Sequence, residues 1–108
     1  MGPTMQRGVV PMKGVTVGTS ADTSQSIPFQ NSSGGQVHVY AGSSLTALTW
    51  YASVDGVLFL PVQDGQGNAV ASIVSAGISC LIPASCFSCA FLKAVGNAAG
   101  SIDLALKS

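Results

Sequence analysis

Charge is what this chain has least of. Of its 108 residues four are Lys or Arg and four are Asp, glutamate is absent altogether, and the formal net charge is zero. Soluble domains ordinarily carry charge on about a quarter of their residues, against 7% here. Four scattered basic residues exclude the clustered Lys and Arg that displace counterions from nucleic-acid phosphates. Without Glu and with little Lys, long surface helices are excluded too. A surface this poor in charge gives separate copies little electrostatic repulsion. It points to a component of an assembly, covered over much of its surface by other protein.

Other things are missing as well. No apolar run reaches the roughly 18 residues of a membrane-spanning helix, and the opening residues carry no apolar stretch of the kind found in secretory leaders. There is a single histidine, His38, and a single tryptophan, Trp50. Three cysteines, Cys80, Cys86 and Cys89, are an odd number for a disulfide framework and read as free, buried or half-buried thiols behaving as small hydrophobes. The alternatives are a disulfide or a zinc site within Cys86-x-x-Cys89, for which four ligands are wanted and His38 is the only imidazole to add. No metal and no cofactor are expected.

What is present is β-forming sequence punctuated by turns. A 108-residue chain has room for one domain with one core. Residues 1–25 read as an extended N-terminal arm: Pro3, Gly8, Pro11, Gly14 and Gly18 interrupt every helix, while Val9-Val10 and Val15-Thr16-Val17 suit two short strands. Such an arm buries too little alone and is expected to order on a neighbouring subunit. Residues 26–108 read as the domain proper. Gln36-Val37-His38-Val39-Tyr40 alternates with the period of a half-buried strand, and in Ser101–Lys107 the residues Ile102, Leu104 and Leu106 face inward. Phe91–Val95 and Ser101–Leu106 are expected to form a hairpin around Gly96–Gly100. Some seven short strands at this spacing predict an all-β fold, a single β-sandwich or jelly-roll-like domain.

The strongest local signal is Leu48–Val54, Asp55-Gly56, Val57–Val62. Asp-Gly between β-rich runs marks a two-residue type I′ hairpin, which pairs Val54 with Val57, Ala52 with Phe59 and Trp50 with Pro61. Tyr51, Ser53, Leu58 and Leu60 then share the other face. Both faces are substantially apolar, so one belongs in the core and the other must be covered from outside. Adjacent strand residues point to opposite faces, so Trp50 is expected in the core and Tyr51 at an interface.

Catalytic constellations do not assemble. Asp55 and Asp64 sit in turns, where aspartate hydrogen-bonds the backbone. His38 is the only base that could activate a serine, and no nucleophile elbow or phosphate-cradling glycine motif occurs. Asp64–Asn68 offers one carboxylate and one amide, too few oxygens for calcium. The chain is read as a non-enzyme.

The runs Leu48–Gly56, Phe59-Leu60-Pro61-Val62, Ile82-Pro83-Ala84 with Cys86-Phe87, Phe91–Asn97 and Ile102–Lys107 resemble the small capsid decoration, or cement, proteins of tailed bacteriophages. The resemblance covers roughly residues 45–108. It implies a β-sandwich that binds the outer face of the phage head and stabilises the capsid lattice, often as a homotrimer, with an arm reaching neighbouring subunits. The partners are then the major capsid protein and further copies of the chain, with no nucleic acid and no membrane. The location is the virion surface, after synthesis in the host cytoplasm. Partner-binding residues are expected to be Val9, Val10, Val15 and Val17 in the arm, with Tyr51, Leu58 and Leu60 on the hairpin. The alternative function is a carbohydrate- or receptor-binding module of a phage tail or fibre, with Trp50 or Tyr51 as a stacking platform.

Overall fold

Apolar residues at every second position build two antiparallel sheets packed face to face, a β-sandwich. The computed structural model describes residues 9–29, 32, 34–83, 86 and 89–107, except for the side chains of Val9 and Val10. The strands among them are β1 (Val9–Val17), β2 (Ile27–Pro28), β3 (Gly34–Val39), β4 (Ala47–Ser53), β5 (Leu60–Pro61), β6 (Ala71–Ile73), β7 (Ser79–Leu81), β8 (Phe91–Gly96) and β9 (Gly100–Lys107). The first sheet has the order β1-β9-β3-β7; the second runs β2-β8-β4, with β5 and β6 sharing the far edge of β4. Val15, Val17, Val37, Val39, Ile102, Leu104 and Leu106 from the first sheet meet Ile27, Leu48, Trp50, Leu92 and Ala94 from the second in one core.

The N-terminal segment is part of this sandwich. β1 is one continuous strand paired along β9, from Val9 opposite Lys107 to Val17 opposite Gly100. Val15 and Val17 are 1% and 0% exposed, so they pack inside their own chain and are unavailable to a partner. This corrects the expectation that they dock on neighbours. The glycine and proline that suggested an arm are accommodated by local devices. Pro11 sits on an outer strand, where a missing N–H is tolerated, and Gly14 occupies a bulge between Met12 and Val15 at φ +67°. Val9 and Val10 take part through their backbones; their side chains, like residues 1–8, lie outside the described residues.

β8 and β9 are not a hairpin. They lie in opposite sheets, β8 between β2 and β4, β9 between β1 and β3. Each has an apolar stripe, and facing the two stripes across the core buries both. The connection turns tightly at Gly96, where a Cβ would come within 2.5 Å of Leu45 and 2.8 Å of Val17.

A similar crossing follows β1. Gly18 accepts a hydrogen bond from the Gly96 N–H (2.8 Å) and donates its own N–H to Ser24 Oγ (3.0 Å), which carries the chain from the first sheet to the second. A side chain there would collide with Thr23.

Trp50 is fully buried, as the alternation of β4 predicts. Its backbone is gripped by both arms of the following hairpin: Val62 N–H donates to its carbonyl (2.9 Å), and its N–H donates to the Val70 carbonyl (3.2 Å). The hairpin closes at Asp64–Asn68, where Asp64 Oδ1 accepts from Gln66 and Asn68 N–H.

Candidate docking surface

The segment after β4 is a latched loop. A type I′ turn needs positive φ at both Asp55 and Gly56; among the described residues only glycines have it, and here only Gly56, at +80°. Ser53 Oγ accepts from Asp55 N–H (3.2 Å) and Gly56 N–H (2.8 Å), and donates to Asp55 Oδ1 (3.0 Å). Asp55 Oδ1 in turn accepts from Val57 N–H (2.9 Å) and Leu58 N–H (3.2 Å). These side-chain bonds compete successfully with the tighter hairpin. The backbone N–H groups of Val57 and Leu58, then the Ser53 hydroxyl, hold the Asp55 carboxyl below the ordinary carboxylate range.

The longer loop shifts the pairing by one residue. Tyr51 lies opposite Pro61, and Ala52 opposite Leu60. A slip of one reverses the face of every side chain on the shifted strand. Tyr51 and Leu60 therefore do not share a face, contrary to the sequence expectation. Leu60 is on the inward side with Ala52 and Leu92, at the edge of the sandwich; Tyr51 is on the outward side with Pro61 and Lys93. The missed signal was Ser53, whose hydroxyl completes the latch.

Restrained in this way, the loop presents apolar side chains to solvent. Val54, Val57, Leu58 and Leu60 are 88, 84, 62 and 58% exposed. Behind them a cleft of about 200 Å³, lined by Ala52, Ser53, Leu58, Leu60 and Cys89, opens at the edge of the core.

The loop is continuous with the outer face of the second sheet. Lys93 Nζ lies 4.4 Å from the centroid of the Phe59 ring and donates to the Ala21 carbonyl at 2.7 Å. Its charge is thus engaged within the chain, by a cation–π contact and a hydrogen bond. Tyr51 stands opposite Lys93, and Thr49, Val95, Ala47, Ala71 and Ile73 extend the same face by cross-strand pairing. Ile73 is 84% exposed. Lys93 is the one formal charge among these paired strand residues.

The first sheet's outer face has a different character. Cross-strand pairing brings Ser79, His38 and Asp103 into one row, a juxtaposition invisible in sequence spacing. It does not form a relay. Asp103 Oδ1 accepts from the Tyr40 hydroxyl and from Gly14 N–H (2.9 Å), and no hydrogen bond joins His38 to Ser79 among the described residues. Tyr40 and Gly14, with Lys13 and His38 nearby, hold the Asp103 carboxyl low; the bond to Asp103 and partial desolvation push the Tyr40 phenol up.

Cys80, Cys86 and Cys89 are free thiols. Burial pushes all three up, Cys86 to about 12. Among the described residues no three His, Cys, Asp or Glu side chains gather as a metal site, and no helix is long and apolar enough to cross a membrane. No family model, no curated protein and no solved structure matches the chain.

Proposed function

We propose that the chain is a structural subunit of a protein shell, a decoration protein that binds the outer surface of a tailed-phage head and strengthens its lattice. One observation carries this reading: a loop fixed by the Asp55–Ser53 latch holds Val54, Val57 and Leu58 in water, with Leu60 exposed beside them at the start of β5. Exposing four aliphatic side chains is unfavourable for a free protein, while fixing their geometry in advance lowers the ordering cost of docking. The outer face from Phe59 through Tyr51 to Ile73, whose Lys93 charge is engaged within the chain, enlarges the contact. Specific interfaces bury about 800 Å² per partner, and repetition over a lattice turns modest single contacts into firm attachment. The partners on this reading are the major capsid protein and further copies of the chain.

A carbohydrate- or receptor-binding role loses its larger aromatic platform, because Trp50 is enclosed in the core. Of the two aromatic residues expected to serve it, Tyr51 remains.

The test is co-sedimentation of the purified protein with empty heads assembled from tailed-phage major capsid protein. Binding is expected, with loss of at least tenfold in affinity for Leu58→Lys and a smaller loss for Tyr51→Ser. Absence of binding, or equal binding by Leu58→Lys, overturns the reading.

A further inference from the structure

The outer strands of the two sheets are not equally protected. An unpaired strand edge is a template for another strand, and proteins block it with proline, lysine or a bulge. β1 carries Pro11, Lys13 and the Gly14 bulge; β2 carries Pro28 and β5 carries Pro61. β7, Ser79-Cys80-Leu81, carries none of these.

The hydrogen-bond phase of β7 fixes what it presents outward. Val39 N–H donates to the Ile78 carbonyl (2.9 Å) and Ile82 N–H to the Gly35 carbonyl (2.9 Å). Residues 78, 80 and 82 therefore direct their backbone groups to β3, and Ser79 and Leu81 direct theirs away from the sheet. Leu81 is 69% exposed beside a groove of about 260 Å³ lined by Gly35, Gln36, Ala105 and Lys107.

We infer that β7 pairs with β7 of a second copy about a two-fold axis at Cys80, joining the two first sheets into one. In that antiparallel pairing Ser79 of each copy exchanges both backbone bonds with Leu81 of the other, so the outward groups match themselves. An isologous contact brings like against like, and any charge at its centre would meet its own copy. From Gly65 to Leu92 the sequence has no charged residue, so the edge strand itself brings no charge to the axis. The central residue faces itself as a non-hydrogen-bonded pair with Cα atoms about 4.5 Å apart. Cys80 suits that position, since it is half-buried against the core and apolar. β6 also has an outer edge without proline, but there the central pair would be Ser72 against Ser72, and Ser72 Oγ is already bonded to Trp50 Nε1. A closed pair of this kind is a dimer, not the trimer that the family resemblance implies. The inference stands independently of the capsid reading.

Non-hydrogen-bonded cross-strand cysteines lie within disulfide reach, which supplies the test. In the Cys86→Ser/Cys89→Ser variant Cys80 is the sole thiol. Treatment with diamide, which takes up the two protons and two electrons lost by two thiols and becomes a hydrazine, is expected to give a disulfide-linked dimer on a non-reducing gel. Leu81→Pro removes an N–H that points away from β3 and leaves the internal ladder intact; Leu81→Lys keeps the N–H and places a charge on the edge. Sedimentation velocity at about 100 µM is expected to show a dimer for the unaltered chain, and self-association about tenfold or more weaker in both variants. Near-ultraviolet circular dichroism from Trp50 reports that each variant is folded. A monomer at that concentration, a dimer unaffected by whichever Leu81 variants fold, or a dimer that yields no Cys80 disulfide, as pairing through β6 would, overturns the inference.

Discussion

Trp50 Nε1 donates to Ser72 Oγ across 3.0 Å, so the one large polar-tipped side chain of the described core has its donor satisfied by the strand beside it. The bond ties the hairpin of residues 60–73 to β4 through a side chain, in addition to the backbone bonds of Val62 and Val70. Ser72→Ala removes the acceptor and leaves the indole N–H buried alone. The expected cost is about 1–3 kcal/mol, measured by urea unfolding, and an unchanged midpoint would show that the bond contributes nothing net.

On the proposed reading, the latch at Asp55 makes docking depend on one carboxylate. Asp55→Ala frees Val57 and Leu58 N–H while the sandwich behind the loop is untouched. The expected outcome is a small change in thermal midpoint with faster amide exchange at Val57 and Leu58, and weaker binding to head shells. If exchange at those amides does not change, the loop is held by something else.

Acid should loosen the surface turns together. Asp55, Asp64 and Asp103 are all held below their ordinary value of 3.8 by backbone or hydroxyl donors. A carboxylate with a lowered folded pKa contributes stability that is present above its unfolded value and lost as pH falls through the folded one. The decline is therefore expected below about pH 4, and the Asp55→Asn/Asp64→Asn/Asp103→Asn triple variant should show a shallower acid limb in thermal melts.

Tyr40 has the opposite sign. Its phenol is raised above 10.0, chiefly by donating to Asp103. A group raised on folding stabilises below its unfolded pKa, and the benefit disappears as pH rises through the folded value. Stability should fall above about pH 10, and Tyr40→Phe should remove that dependence when melts are compared at pH 8 and pH 11.

At Gly96 there is no room for even one methyl group. An alanine Cβ would sit 2.5 Å from Leu45 Cδ2, 2.8 Å from Val17 Cγ1 and 2.9 Å from the Ala98 carbonyl. Gly96→Ala is expected to cost about 1–3 kcal/mol by overpacking. Pairing it with Leu45→Ala, which clears the nearest contact, should recover part of the loss.

The sequence carried most of the core because strand alternation reports burial directly. Val37 and Val39, Trp50, and the series Ile102, Leu104 and Leu106 are all buried where the period of two placed them. It misplaced the contacts that depend on what strands meet. Val15 and Val17 looked like an external arm because β9, ninety residues away, supplies the surface they cover. The Tyr51–Leu60 relation failed through a single hydroxyl: Ser53 converts a two-residue turn into a six-residue loop, Val54–Phe59, and moves the register by one. Leu58 and Leu60 are nevertheless exposed, as the two-sided apolar pattern of the segment implied. The Ser79–His38–Asp103 row and the open edge of β7 exist only in the folded sheet, where residues far apart in sequence become lateral neighbours.

Val9 and Lys107 face each other across the outer pair of strands, so the start of β1 and the end of β9 lie side by side at one corner of the sandwich. A short Gly-Ser bridge from Lys107 to Val9, replacing residues 1–8 and Ser108, would span that gap, and the Asp64–Asn68 turn, exposed and closed by its own side chain, is a natural place for new termini. A circular permutant cut there would keep every strand neighbour while moving both ends to the opposite side of the chain's longest loop closure. Comparing its refolding rate with that of the original order would reveal how far assembly of the sandwich waits on β1 finding β9.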